Sequence, residues 1–363
     1  MPKVINFVSA LNTGGVEIMM REWFKRKPEN ISFDIVASSG GIVEEQLKKM
    51  GCKTFIVNPI KKCGIFKYIK QAYRIIKEGK YNIVHAHMGP LSGLIFIASI
   101  LAGVKVRILH SHGTKFNTDK GKGVARLKFR ILKKISVLLA TKYIACSLES
   151  AEYFFGTNRA RKAEIVFNGV DFEKFFLANN TSKGNVVGHI GRFEPVKNHL
   201  FLLRVIKKIH EIKSEIELHL LGDGDKREVE KFISENNMAT YVKIFSGRED
   251  VTSFYNSIDV FVLPSLNEGF PVVSIEAQAC GLPCVVSNRI TKSIAVTSRV
   301  DMVELSEEKW VIKILDALEK GKADVTKELK LKGFGIDEST TKLMNIYFKS
   351  LNRGKLDVAK YKN

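Results

Sequence analysis

Four side chains in the second half of the chain carry the most readable chemistry: Arg192 and Lys197 in GHIGRFEPVKNH, Glu268 and Glu276 in SLNEGFPVVSIEA. Arg192 and Lys197 stand five positions apart on a proline-containing loop that follows an apolar run ending at Gly191. A guanidinium offers directional forked donors and an ammonium a mobile point charge, so the pair suits a clamp on a leaving diphosphate. The glutamates flank a Gly-Phe-Pro turn at the start of an apolar helix. That helix is expected to have Pro271 at its first position and Gly281 just past its end, leaving the N–H groups from Phe270 to Val273 open to an anion. Carboxylates repel phosphate, so Glu268 and Glu276 suit hydroxyl donors such as those of a sugar and a ribose. The plainer reading makes Glu268 a charge that satisfies the helix dipole and Glu276 part of a solvated face. Against it, the surrounding helix is so apolar that burying Glu276 would cost several kcal/mol without partners.

In the first half, RILHSHGTKF places His110 and His112 at the end of a strand, where alternation sends both to one face. One of the two is positioned to touch a reacting group while the other packs in the core. His85 and His87 in VHAHMG repeat the arrangement one strand earlier, and the four could make a metal site. No acidic ligand lies nearby in sequence, and no metal or other cofactor is expected. Glycine turns in SALNTGGVE and LLGDGDKRE allow backbone N–H groups to approach a diphosphate. Gly14 and Gly15 precede a helix, whereas Gly222 and Gly224 are equally explained by a tight turn.

These residues need a frame. Short β-branched runs alternate with amphipathic stretches: KVINFVS, FDIVAS, KTFIVN, NIVHAH, VRILHSH, KYIACS and EIVFNG, then NVVGHIG, IELHLLG, YVKIFSG, DVFVLPS and PCVVS. Continuous apolar strands separated by helices predict parallel, doubly wound sheets. At 363 residues the chain suits two domains. The polar stretch FLANNTSKG is the linker candidate, giving domains at 1–178, joined by a C-terminal helix over 339–363, and at 183–338. Ligands of such sheets bind beyond the carboxyl ends of the strands, and a cleft between two of them is the expected site.

The net charge of +20 is lopsided: residues 1–180 hold 30 Lys and Arg against 13 Asp and Glu, and residues 181–363 hold 28 against 25. A basic first half suits an anionic partner, though a merely lysine-rich surface explains it too. KGKGVARLKFRILKKISVLLATK combines apolar residues at helical spacing with Arg126, Arg130, Lys133 and Lys134 on a cationic side, as in helices that lie on anionic bilayers or pack on a sheet. The longest apolar stretch, LSGLIFIASILAGV, has about 14 residues, short of the ~20 that span a bilayer. No secretory leader is read at the N-terminus. Five cysteines, an odd number without paired CxxC spacing, read as reduced, buried thiols of a cytoplasmic protein.

Taken together, LNTGGVE, HSHGT, FNGVD, GRFEPVKN, LLGDGD, FSGRED and PSLNEGFPVVSIEAQACGLPCVVS resemble the retaining glycosyltransferases of family 4, which have the GT-B fold, and most of all the bacterial exopolysaccharide and capsule enzymes. The resemblance covers nearly the whole chain in order, and its E-x7-E element enclosing GFP is its most specific part. It implies two Rossmann-like domains facing across a cleft and a donor that is a nucleotide-diphosphate sugar, UDP favoured over GDP. The implied acceptor is a glycan or polyprenyl-diphosphate-linked sugar, with peripheral contact at the cytoplasmic face of the membrane. By resemblance Arg192 and Lys197 bind the donor diphosphate, Glu268 meets the sugar hydroxyls, and Glu276 holds the ribose. Gly269, Phe270, Pro271, Val272 and Val273 contact sugar and phosphate through backbone, and Gly14 and Gly15 close over the diphosphate. His112 sits near the sugar, and Ser246, Gly247 and Arg248 read the base. The charge building on the diphosphate is stabilised by cations and helix N–H groups, so no metal is invoked, and domain closure across FNGVD and the linker excludes water. The segment NRITKSIAVTSRVDMVELSEE departs from the family pattern, which puts the glycine contacts usual there in doubt. Rival readings are a sugar-nucleotide 2-epimerase, disfavoured by the lack of carboxylates after the first-half strands; a catalytically silent sugar-nucleotide binder; and a nucleic-acid binder, for which interleaved aromatics are missing. Oligomeric state is not legible.

Overall fold

The computed structural model describes residues 1–12, 15–113, 123–177, 184–246 and 250–351. It divides into two compact units, one formed by Met1–Gly169 with the stretch from Ile336 onward, the other by Val170–Gly335.

In the first unit the described strands are β1 (Lys3–Phe7), β2 (Ser32–Ala37), β3 (Lys53–Ile56), β4 (Ile83–Ala86), β5 (Val106–Ser111), β6 (Lys142–Ala145) and β7 (Glu164–Ile165). All pair in parallel, in the order β3-β2-β1-β4-β5-β6-β7. Alternation splits each strand between two apolar layers. Val4, Ile35, Ile83 and Ile108 enter one layer with Trp23, Met344 and Tyr347, while Ile5, Phe7, Val84 and Leu109 enter the other. The helix Ile336–Ser350 returns the chain to this unit, where Trp23 donates to Ser339 Oγ at 3.1 Å and Ser339 donates to the Phe167 carbonyl at 2.7 Å.

In the second unit β8 (Val186–Ile190), β9 (Glu217–Leu221), β10 (Val242–Phe245), β11 (Val260–Leu263), β12 (Cys284–Ser287) and β13 (Val300–Val303) form a parallel sheet in the order β10-β9-β8-β11-β12-β13. The chain builds outward from β8 to β10, then returns to place β11 on the other side of β8. The loops after β8 and β11 therefore flank the topological switch point, where an open α/β sheet forms its crevice.

Each apolar run read from the sequence is a strand here; β13 was not anticipated. Its VDMV lies at an edge with only Val303 buried, so it lacks the continuous apolar signature of an interior strand. The unit boundary also needs correcting. The chain crosses at Gly169 and Val170, within FNGVD, rather than in the polar stretch at 176–184. Residues 170–177 belong to the second unit because Val170 N–H donates to the Phe334 carbonyl at 2.8 Å and Phe175 packs edge-on against Tyr255. The return crossing falls at Gly335 and Ile336, three residues before the expected 339. Cys52, Cys146, Cys280 and Cys284 are buried free thiols, but Cys63 is half-exposed.

Candidate active site

At the switch point of the second sheet, the loop after β8 ends in a short turn over Pro195–Lys197 before the helix His199–Ile212, and the loop after β11 leads to the helix Val272–Ala279. Three contacts stitch these loops together. Leu266 N–H donates to the Val196 carbonyl at 2.8 Å, Asn198 Nδ2 donates to the Pro264 carbonyl at 3.2 Å, and Lys197 Nζ meets Glu268 Oε1 at 2.5 Å. Ser265 Oγ donates to the same carboxylate oxygen at 2.9 Å. The side chains of Lys197 and Glu268 keep 16% and 17% of their exposure, so the pair is largely desolvated yet reachable. Burial, with the positive Lys197 adding to it, pushes the neighbouring His199 imidazole down to about 4.

Glycines make this geometry possible. A Cβ on Gly191 would lie 3.1 Å from Lys197 Cδ and 2.9 Å from His189 Nε2, so the missing side chain is the space over which the lysine stem lies. A Cβ on Gly222 would meet the Gly191 carbonyl oxygen at 2.1 Å, and Gly224, at φ +122°, pairs with Phe193. The LLGDGD glycines thus let the loop after β9 press against the Gly191–Phe193 backbone and fix the approach to Lys197.

The helix Val272–Ala279 begins one residue later than the sequence reading. Pro271 occupies the N-cap and Val272 the first helical position; Ser274 N–H already bonds the Pro271 carbonyl at 3.0 Å. Leu282 N–H to the Ala277 carbonyl (3.0 Å) and Gly281 N–H to the Gln278 carbonyl (2.9 Å), with Gly281 at φ +76°, close its C-terminus as a Schellman motif. The first-turn N–H groups of Val272 and Val273 have no carbonyl one turn earlier to bond, which leaves this end suited to an anion. Glu276 is half-buried and is not idle. Tyr255 OH lies 2.9 Å from its Oε2 and 2.9 Å from the Val273 carbonyl. Burial raises its pKa to about 7 even though the Tyr255 hydroxyl and the charge of Lys174 pull it downward.

The two loop cations are presented differently. Lys197 is joined to Glu268, whereas Arg192, 74% exposed, turns onto Glu194 at 2.8 Å. Gly269 and Phe270 lead from Glu268 into the helix, and Phe270 is buried, stacked on Phe334. Ser246 follows β10 and is exposed; Gly247 and Arg248 lie outside the described residues, as does Gly14. Gly15 opens the helix Gly15–Lys25 with nothing within 4 Å of an added Cβ. Sequence reasoning missed Tyr255, Ser265 and Asn198. Only Asn198 left a local trace, as an asparagine ahead of a helix, and it adopts the left-handed conformation (φ +61°).

In the first unit the strand register gathers the histidines. His85 pairs with Ile108 across β4 and β5, so the same face carries His87 and His110 one step further along. His87 Nδ1 lies 2.7 Å from His112 Nε2, His85 Nε2 lies 3.2 Å from His110 Nδ1, and His85 Nδ1 lies 2.6 Å from Tyr347 OH. Burial pushes His112 down to about 3 and the other three well below the ordinary imidazole range. The basic helix runs Val124–Leu139 and buries Phe129, Ser136 and Val137. Val124, Leu127, Ile131 and Leu138 stay exposed, so the apolar spacing read from the sequence is largely an outward stripe. Lys133 donates to the Tyr153 carbonyl at 2.6 Å and, with Arg130, Lys134 and Arg159, rims a pocket of about 310 Å³ floored by Phe154 and Phe155.

Comparison with known proteins matches residues 13–174 to the family model "Glycosyltransferase Family 4" and residues 184–327 to "Glycosyl transferases group 1". EpsF of Bacillus subtilis strain 168, a protein named as a glycosyltransferase, is 30% identical over 95% of this chain and 96% of its own length. The chain belongs to the family-4 glycosyltransferases. An Escherichia coli relative, UDP-Gal:alpha-D-GlcNAc-diphosphoundecaprenol alpha-1,3-galactosyltransferase, is 28% identical over 81% of each chain. Among solved structures, Anabaena Alr3699/HepE in complex with UDP and glucose superposes with a TM-score of 0.77 at 17% identity, covering 96% of this chain and all of the other. That likeness is one of fold, and this glycosyltransferase has the two-unit α/β architecture of the GT-B class.

Proposed function

We propose that this family-4 enzyme moves a sugar from a nucleotide-diphosphate donor, UDP-linked in preference to GDP-linked, to a glycan or polyprenyl-diphosphate-linked acceptor in capsule or exopolysaccharide assembly. The observation that carries the reading is the Lys197–Glu268 pair held between the two switch-point loops beside the start of the helix Val272–Ala279. As the sugar–diphosphate bond breaks, negative charge grows on the diphosphate. A preplaced ammonium and first-turn N–H groups stabilise that charge without reorganising, so the step needs no metal at the donor. Arriving phosphate competes for Lys197 and releases Glu268 to accept hydrogen bonds from sugar hydroxyls. Arg192, exposed and paired with Glu194, swings in as the second cation. Glu276 takes the ribose hydroxyls, Ser246, Gly247 and Arg248 the base, and Gly14, Gly15 and His112 keep the roles the family resemblance gives them. Retention of anomeric configuration rests on the same resemblance. The donor and acceptor classes draw support from the E. coli relative, whose name specifies UDP-Gal and a diphosphoundecaprenol-linked acceptor.

Among the described residues no helix is long and apolar enough to cross a membrane. The outward stripe of Val124, Leu127, Ile131 and Leu138 next to Arg126, Arg130 and Lys134 supports peripheral docking on an anionic cytoplasmic leaflet, where a lipid-linked acceptor would lie. A thermal-shift panel of UDP- and GDP-sugars tests the central reading. One nucleotide class should raise the melting temperature of the wild type, and Lys197→Ala should lose most of the shift. A panel in which no nucleotide stabilises the protein would overturn it.

A further inference from the structure

The histidine cluster of the first unit is not needed for diphosphate departure, yet it is built with more order than packing requires. We propose that His85, His87 and His110 hold one transition-metal ion of the kind that prefers imidazole, zinc(II) being the biological representative. Each of the three can bring a ring nitrogen within 4.8 Å of the others'. The closest nitrogens, His85 Nε2 and His110 Nδ1, are 3.2 Å apart. Two ligands at about 2.0–2.1 Å from a tetrahedral zinc stand about 3.3 Å apart, so this edge already has the length an ion would impose. The widest separation must close, by rotation of a ring at the half-exposed end of the cluster where His87 lies.

Three further features fit. His85 uses its other nitrogen, Nδ1, on the Tyr347 hydroxyl at 2.6 Å, the outer-shell contact that fixes the tautomer and orientation of a metal-bound imidazole. Nε2 of His87 is buried with no hydrogen-bond partner among the described residues, a costly vacancy in a purely structural cluster that a bound ion would fill. The rings of His85 and His110 lie nearly parallel with centroids 5.2 Å apart, and His87 tilts against His85 at 4.1 Å, contacts that hold the rings in place before any ligand arrives. The group has no carboxylate. An all-imidazole set selects zinc, cobalt, nickel or copper and disfavours magnesium, calcium and manganese, which seek oxygen ligands. The ion takes no part in the transfer step proposed above, and the two readings stand or fall separately.

The test is cobalt(II) titration of the full, tag-free chain, followed by visible d–d absorption, with zinc(II) as competitor and magnesium(II) as control. One equivalent of cobalt should give a tetrahedral spectrum, zinc should bleach it, and magnesium should not. His87→Asn and His110→Asn should lose the spectrum, Tyr347→Phe should weaken uptake by about tenfold or more, and His210→Asn in the second unit should bind as the wild type does. Metal-free melting curves establish that each variant is folded. His87→Asn, at the half-exposed edge, decides the matter if His110→Asn does not fold. Absence of stoichiometric uptake by the wild type, or uptake unchanged in His87→Asn, would overturn the assignment.

Discussion

The two units share one plan, a parallel sheet that reverses its winding once, but they use their strand ends in opposite ways. In the second unit the polar residues meet at the reversal itself, between β8 and β11, around an ion pair: Lys197 against Glu268, with the Glu276 carboxyl behind. In the first unit the reversal lies between β1 and β4, while the dense polar group sits one strand over, across β4 and β5, and is neutral. The topology offers a crevice in both. What distinguishes them is solvation, since a pair left partly open can stay ionised and exchange partners, whereas imidazoles buried together stay uncharged.

The sharpest way to break this contrast is Glu268→Ala, which should abolish transfer while leaving nucleotide-induced stabilisation largely intact; undiminished turnover in a donor-consumption assay would retire the residue. Lys197→Ala should lower turnover by about 10²–10³, the loss seen when one preorganised charge-stabilising group is removed. Arg192→Ala should cost less, because Arg192 must first leave Glu194; equal losses would mean that the exposed arginine and the paired lysine act as one clamp. Gly191→Ala should mimic a milder Lys197 defect, raising KM for the donor as the added methyl displaces the lysine stem. The smallest effect is a matter of pH. Burial raises the Glu276 pKa to about 7, so its contribution to stability is present in full at pH 4 and is lost as pH rises through 7. Glu276→Gln should therefore melt a few degrees above the wild type at pH 8, at about 2–4 °C per kcal/mol, with the gap vanishing at acid pH. Ribose hydroxyls favour the carboxylate form, so wild-type nucleotide affinity should increase from pH 6 to 8 and level off, and Glu276→Gln should flatten that rise. Neutralising Arg126, Arg130 and Lys134 together should weaken salt-sensitive binding to anionic liposomes and leave turnover on a soluble acceptor unchanged.

Much of this was legible in the residues. Alternation of apolar runs with amphipathic stretches specified two doubly wound sheets, because interior parallel strands must be apolar on both faces. The spacing of Glu268, Pro271, Glu276 and Gly281 marked a helix with a defined start and stop, off by one position at Pro271. Polarity alone misplaced the unit boundary, since the polar stretch at 176–184 looks like the linker, yet residues 170–177 already belong to the second unit, where Val170 bonds the Phe334 carbonyl. Edge strand β13 was hidden by its half-exposed, mixed sequence.

The chain's local chemistry thus determined its elements, its family and the identity of the charged residues, all of which depend on neighbours a few positions away. Only tertiary structure decided that Lys197 rather than Arg192 meets Glu268, 71 positions along the chain. The same holds for Tyr255 reaching Glu276, for Gly222 making room for Gly191, and for four histidines from two strands becoming one cluster. These outcomes depend on strand order, register and close approach of backbones, and no short-range pattern encodes a distance between segments that meet only after folding.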